Sequence, residues 1–154
     1  MNIDYSRVIT AETSRKQALE VARSVAVSRA LQQIEAAAMR ISGQVPVAEQ
    51  LTWAAKESAA RLILSGDEAV RESADYKAAV DLLTVEAGMM NETPELLAPR
   101  ILAAAEAYRA DVSRLSGIRR ANKRALADAQ TEAEIREAMT ALQELLAPLT
   151  EEER

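Results

Sequence analysis

The chain contains no cysteine, no histidine and no phenylalanine. Without cysteine there is no disulfide framework, thiol nucleophile, iron–sulfur cluster or cysteine zinc site. Without histidine there is no Ser-His-Asp triad, no imidazole base and no ordinary catalytic zinc centre. Aromatic residues are reduced to Tyr5, Trp53, Tyr76 and Tyr108. The four glycines, Gly43, Gly66, Gly88 and Gly117, stand singly, so the sequence holds none of the glycine-rich loops that cradle phosphates. Long hydrophobic runs are missing as well. Charge interrupts the apolar residues every few positions, and nothing approaches the ~20 apolar residues of a membrane span. The opening Met1-Asn2-Ile3-Asp4-Tyr5 has neither the basic region nor the apolar stretch of a secretory signal. The expectation is a protein kept in a cytoplasm, or built into a particle assembled there.

What is present in excess is alanine, 32 of the 154 residues. Alanine loses no side-chain entropy in a helix and lets helices approach closely. The length suits one domain or one extended helical unit. The net charge of −5 is unevenly distributed. Residues 1–64 hold eight basic and six acidic groups, and residues 65–92 hold two and seven. Residues 93–130 hold seven and four, and residues 131–154 hold two and seven. Alternating blocks of this kind favour complementarity between packed helices over a partner code.

Residues 1–10 contain no alanine, and Ile3, Tyr5, Val8 and Ile9 form a short β-like apolar pattern. They read as an extended arm, which could staple onto its own helices or dock on another subunit or sheet edge. Five helices are expected to follow, over 11–42, 46–64, 75–87, 94–129 and 132–147, with 148–154 an acidic tail. The first, capped by Thr10 or Thr13 and closed by Gly43, would be a rod of roughly 45–50 Å. In it Val27, Leu31, Ile34, Ala38 and Ile41 are spaced 4, 3, 4, 3, a seven-residue seam. The second, entered through Pro46, carries Val47, Leu51, Ala54, Ser58 and Leu62 on one stripe. The short turn between these two predicts an antiparallel hairpin with Trp53 as an anchor near its end. Residues 67–75 allow a helical turn within a loop.

The third helix places Tyr76, Val80, Leu83 and Ala87 on one face and ends at Gly88. In the fourth, Ile101, Ala105, Tyr108, Val112 and Leu115 repeat the 4, 3, 4, 3 spacing. Pro99 is either a kink in its first turns or its true start. Gly117 is a weak point that would permit close helix approach. The last helix opens on the Thr131/Glu134 capping box, carries Ile135, Ala138, Leu142, Leu145 and Leu149, and stops at Pro148. The fold class is all-α: an elongated antiparallel helical bundle or hairpin of about five helices, one very long, with an extended N-terminal arm.

Few constellations could carry chemistry. The carboxylate groups Glu132/Glu134/Glu137 and Asp67/Glu68/Glu72 fall in segments expected to be exposed, whereas general acid–base work needs a carboxyl shifted by burial. A di-iron carboxylate site needs Glu-x-x-His, and histidine is absent. Neither catalysis, nor a cofactor, nor a metal is expected. Arg119, Arg120, Lys123 and Arg124 share one helix face and could meet phosphates or an acidic partner. With a net charge of −5 and no interleaved aromatics, the acidic last helix beside them is the favoured reading and nucleic acid the lesser one. The apolar seams remain. The first helix has apolar or small residues around most of its circumference, which one short neighbour cannot cover, so a homo-oligomer or an obligate partner is expected. Ile3, Tyr5, Val8 and Ile9 would dock on the partner, and Val27, Leu31, Ile34 and Ile41 would pack against it.

The order of segments resembles small alanine-rich helical proteins of tailed bacteriophages encoded near tail-fibre genes. The opening from Ile3 to Glu12 and the stretch from Trp53 to Ala60 carry the likeness first. It continues through Ala79 to Gly88, Leu96 to Leu102, Ala105 to Tyr108 and Ser116 to Arg120. The resemblance covers most of the chain, and the family offers no catalytic residues to transfer. It implies a non-enzymatic role with other phage tail or fibre proteins, in the virion tail or in the host cytoplasm during assembly. Two forms are open, a structural or adaptor component of the tail and a fibre-assembly chaperone absent from the mature virion. A small regulatory or nucleic-acid-binding bundle using the Arg119–Arg124 face is the alternative from another class.

Overall fold

The computed structural model describes residues 10–43, 45–65 and 67–150. Among these residues every regular element is an α-helix and no strand occurs, as the sequence reading expects. The helices are α1 (Ala11–Ile41), α2 (Val47–Gln50), α3 (Trp53–Leu64), α4 (Glu68–Arg71), α5 (Ala74–Met89), α6 (Pro94–Asp128) and α7 (Glu132–Thr150). The chain divides into two compact units. One comprises α1 and the chain from Ser113 onward, and the other comprises Ser42–Val112. The long α6 thus contributes its first half to one unit and its second half to the other.

In the first unit, α1 starts where the sequence places it. The Thr10 hydroxyl accepts the Thr13 N–H at 3.2 Å and so caps the helix. Gly43 follows the helix at φ +63°, a left-handed conformation that costs glycine little. Within this unit α1 packs against α7, far from it in the chain. The core of this unit combines Ala26, Ala30, Ile34 and Ala37 of α1 with Leu115, Ile118 and Leu126 of α6 and Ile135, Ala138, Leu142 and Leu146 of α7. Leu126 and Leu142 are fully buried. Each contributes on the order of 1.5–3 kcal/mol by leaving water.

The buried stripe of α1 is not the heptad seam. It runs Leu19, Ala22, Ala26, Ala30, Ile34, Ala37 and Ile41. Its first, middle and last members, Leu19, Ala30 and Ile41, repeat every eleven residues. That is about 3.67 residues per turn, close to the helix's own 3.6, so a nearly straight helix keeps the stripe on one face.

Two polar contacts lock the unit. Arg23 donates from Nε to the Leu126 carbonyl at 2.9 Å and from Nη2 to the Ala129 carbonyl at 2.6 Å, satisfying the C-terminal end of α6. Buried Asn122 donates from Nδ2 to the Ala138 carbonyl at 3.0 Å, tying α6 to α7. The capping box forms as read: Glu134 accepts from the N–H groups of Gln130 and Thr131, and the Thr131 hydroxyl accepts the Glu134 N–H at 3.2 Å. Pro148 does not stop α7, which runs to Thr150. So near the end a proline deletes one helical bond and little else.

In the second unit, the expected helix 46–64 is broken at Leu51 and Thr52 into α2 and α3. Both the N–H and the hydroxyl of Thr52 turn back to the Glu49 carbonyl, at 2.9 and 2.7 Å, a tightening three-residue reach that interrupts the helix. The four-residue α4 is the helical turn foreseen in the acidic stretch, with Asp67 as its cap. α5 is capped by the Ser73 hydroxyl on the Tyr76 N–H. It passes through Gly88 and ends in a Schellman turn: the Glu92 N–H reaches the Ala87 carbonyl at 2.9 Å and the Asn91 N–H reaches the Gly88 carbonyl at 3.2 Å. Asn91 takes the left-handed conformation, φ 55°, so the turn closes there and not at Gly88, where the sequence reading ends the helix. α6 begins at Pro94 and continues through Pro99.

α3 and α5 pack together, and the first half of α6 completes the core. That core holds Ala59, Ala60, Ile63, Ala79, Leu83, Ala87, Leu97 and Ala98. Trp53 and Tyr108 meet edge to face at a centroid separation of 4.9 Å, the anchoring role expected of the tryptophan.

Candidate functional site

Of the residues expected to bind a partner, Ile3, Tyr5, Val8 and Ile9 lie outside the described residues, and so does the acidic tail beyond Thr150. The other four separate into two groups. Ile34 is buried and Ile41 is packed against the core. Val27 and Leu31 are 41% and 49% exposed, on the flank of the buried stripe. The heptad seam therefore does not bury as a unit: its C-terminal members turn inward and its N-terminal members face solvent. Ala38, between them, is exposed.

α1 carries further apolar surface outside the core. Val21 and Val25 are exposed on the side opposite Ala26 and Ala30. A helix apolar on two sides with one side covered leaves the other open for contact. The aliphatic groups sit on a rigid, well-capped rod, so a partner would meet a pre-organised surface and order little of this chain on binding.

Arg119, Arg120, Lys123 and Arg124 are all exposed on α6, on the turns facing away from Ile118, Asn122 and Leu126. Arg124 pairs within its own helix with Asp128 at 3.5 Å. The expected partner for this cluster was the acidic α7. Among the described residues of this unit, the ion pairs Glu12–Lys16, Glu20–Arg23 and Arg124–Asp128 are each internal to one helix and do not join α6 to α7. Glu132, Glu134 and Glu137 are exposed, as are Asp67, Glu68 and Glu72.

Complementarity between charge blocks does hold in the second unit. Lys56 of α3 meets Glu86 of α5 at 2.6 Å. Glu57 of α3 receives hydrogen bonds from Arg109 of α6 and from Arg61 one turn on. The Arg109 and Arg61 guanidiniums hold the Glu57 carboxyl below the ordinary carboxylate range, and Glu57 in turn raises Arg109. This network braces three helices beside the Trp53–Tyr108 pair.

Several outward residues were not expected on the surface. Leu82, Val85 and Met89 project from α5, and Val47 and Leu51 are exposed in and after α2. The last two belong to the stripe expected to bury the second helix, whose core side is instead formed by Ala59, Ala60 and Ile63. Among the described residues no group of three or more carboxylates is placed to hold a metal ion, and no helix is long and apolar enough to cross a membrane. Compared with protein-family models, curated proteins and solved structures, the chain matches none.

Proposed function

We propose that the chain is a non-enzymatic structural or adaptor protein of a bacteriophage tail. In this reading it works as a homo-oligomer and binds other tail or fibre proteins through its opening segment and the outward flank of α1. The exposure of Val27 and Leu31 on a helix whose core face lies elsewhere is the observation that carries the proposal. Val21 and Val25 extend the apolar surface of the same helix. Exposed apolar patches of several hundred Å² mark contact sites more often than they occur by accident. The sequence resemblance supplies the phage setting. Arg119, Arg120 and Lys123 offer a second, electrostatic contact to an acidic partner.

A fibre-assembly chaperone would use the same surface and differ in its fate. Mass spectrometry of purified virions and of immature fibre complexes separates the two. Presence in virions supports the structural role, and presence on immature fibre alone supports the chaperone. Absence from both overturns the proposal.

A further inference from the structure

α5 is apolar on two sides. Its inner side gives Ala79, Leu83 and Ala87 to the core, flanked by Tyr76 and Val80. Its outer side carries Ala78, Leu82, Val85 and Met89, spaced 4, 3, 4. The three large members are 46%, 67% and 83% exposed. A helix apolar all round is normally enclosed, and here one side has no cover. The spacing is that of a coiled-coil seam, which fits another helix better than a strand or an extended peptide. The charged residues flanking the seam are acidic, Asp75 one turn before it and Asp81 and Glu86 alongside, while Lys77 stands further round the helix. Glu86 is partly neutralised by Lys56. Asp75 and Asp81 are exposed and enter no ion pair of this unit.

We infer that the outer face of α5 docks an amphipathic helix of another protein, with heptad-spaced apolar residues and basic residues beside them. Charge selects this occupant over a second copy of α5. A parallel pair of α5 helices would set Asp81 against Glu86 across the seam, an antiparallel pair would set each against its own counterpart, and like charges there oppose pairing. A basic helix reverses the sign and gains at Asp75 and Asp81. The inference does not rest on the reading above.

The test uses the full chain and three fluorescent peptides of three heptads each. All have leucine at the seam positions, with lysine flanks, glutamate flanks, or the lysine version in scrambled order. Anisotropy is expected to show the lysine peptide binding at least tenfold more tightly than the other two and weakening as salt rises. V85E/M89E should lose that binding. Both side chains are mostly exposed, so circular dichroism and the melting temperature should stay at wild-type values. D75K/D81K should invert the preference toward the glutamate peptide, an outcome that general stickiness of the face would not give. Absence of binding, equal binding of the lysine and glutamate peptides, or unchanged binding by V85E/M89E overturns the inference. So does sedimentation showing that V85E/M89E dissociates a dimer of this chain, because the occupant would then be a second copy.

Discussion

Replacing Arg23 with methionine keeps the aliphatic stem that packs beside α6 and removes the guanidinium that closes its end. In the wild type that group donates to the Leu126 and Ala129 carbonyls at 2.9 and 2.6 Å, with its side chain 21% exposed. A hydrogen bond from a charged donor contributes about 1.5–3 kcal/mol net. A cation at a helix C-terminus adds about 0.3–1 kcal/mol. Both carbonyls lie at a helix end, where water can replace part of the loss. The expected cost of R23M is therefore about 2–3 kcal/mol, below the plain sum of two charged bonds. R23K keeps the charge but cannot span two carbonyls with one fork, so it should lose about half as much. The contribution of the Glu20 pair is isolated by E20Q, which should cost at most about 0.5 kcal/mol at so exposed a site. Urea unfolding followed by far-ultraviolet circular dichroism measures all three through the midpoint, with the slope unchanged. If R23M lies within about 0.5 kcal/mol of wild type, the capping argument fails.

Three further outcomes follow from other parts of the structure. A Cβ at Gly117 would meet no atom within 4 Å, so G117A should stabilise the chain by about 1 kcal/mol and raise the melting temperature. Leu142 is fully buried between α1, α6 and α7, and L142A should cost about 3 kcal/mol in the same unfolding assay. Glu57, with its pKa depressed below the ordinary value of 4.5, stabilises the fold in its charged form. That stabilisation is complete above the unfolded value and is lost as pH falls through the lower folded one. The melting temperature of E57Q should therefore fall below wild type at neutral pH, and the gap should begin to narrow below about pH 4.5 and close only below the lower folded value.

The helices were legible because their signals are local. The Thr10 cap, the Thr131/Glu134 box and the periodicity of α5 and α7 each depend on residues within two turns of one another. The faces were harder to read, because alanine hides them. In α1 the eye follows the bulk of Val27 and Leu31, while the helix buries Ala26 and Ala30 one position earlier. In α3 the buried pair is Ala59 and Ala60, not Ser58 and Leu62, and in α7 Leu146 is chosen over its neighbour Leu145. Small residues suit the inside of a closely packed three-helix unit, where larger ones would hold the helices apart. Packing partners were the least legible. The pairing of α1 with α7 and the reach of Arg23 to Leu126 and Ala129 join residues about a hundred positions apart, and neither leaves a local mark. Gly117 was read as a notch for close approach, yet the space beside it is open. The basic face of α6 was placed outward by its spacing, but its expected acidic partner on α7 was not supplied by the ion pairs of that unit.

The proposal rests on α1 as a contact surface, and sedimentation equilibrium of the full chain against V27E/L31E tests it most directly. The account predicts an oligomer for the wild type and at least a tenfold weaker association for the variant. The variant should keep its helical content, since both side chains lie outside the core. A wild type that stays monomeric across the concentration range, or an oligomer that V27E/L31E leaves intact, would contradict it.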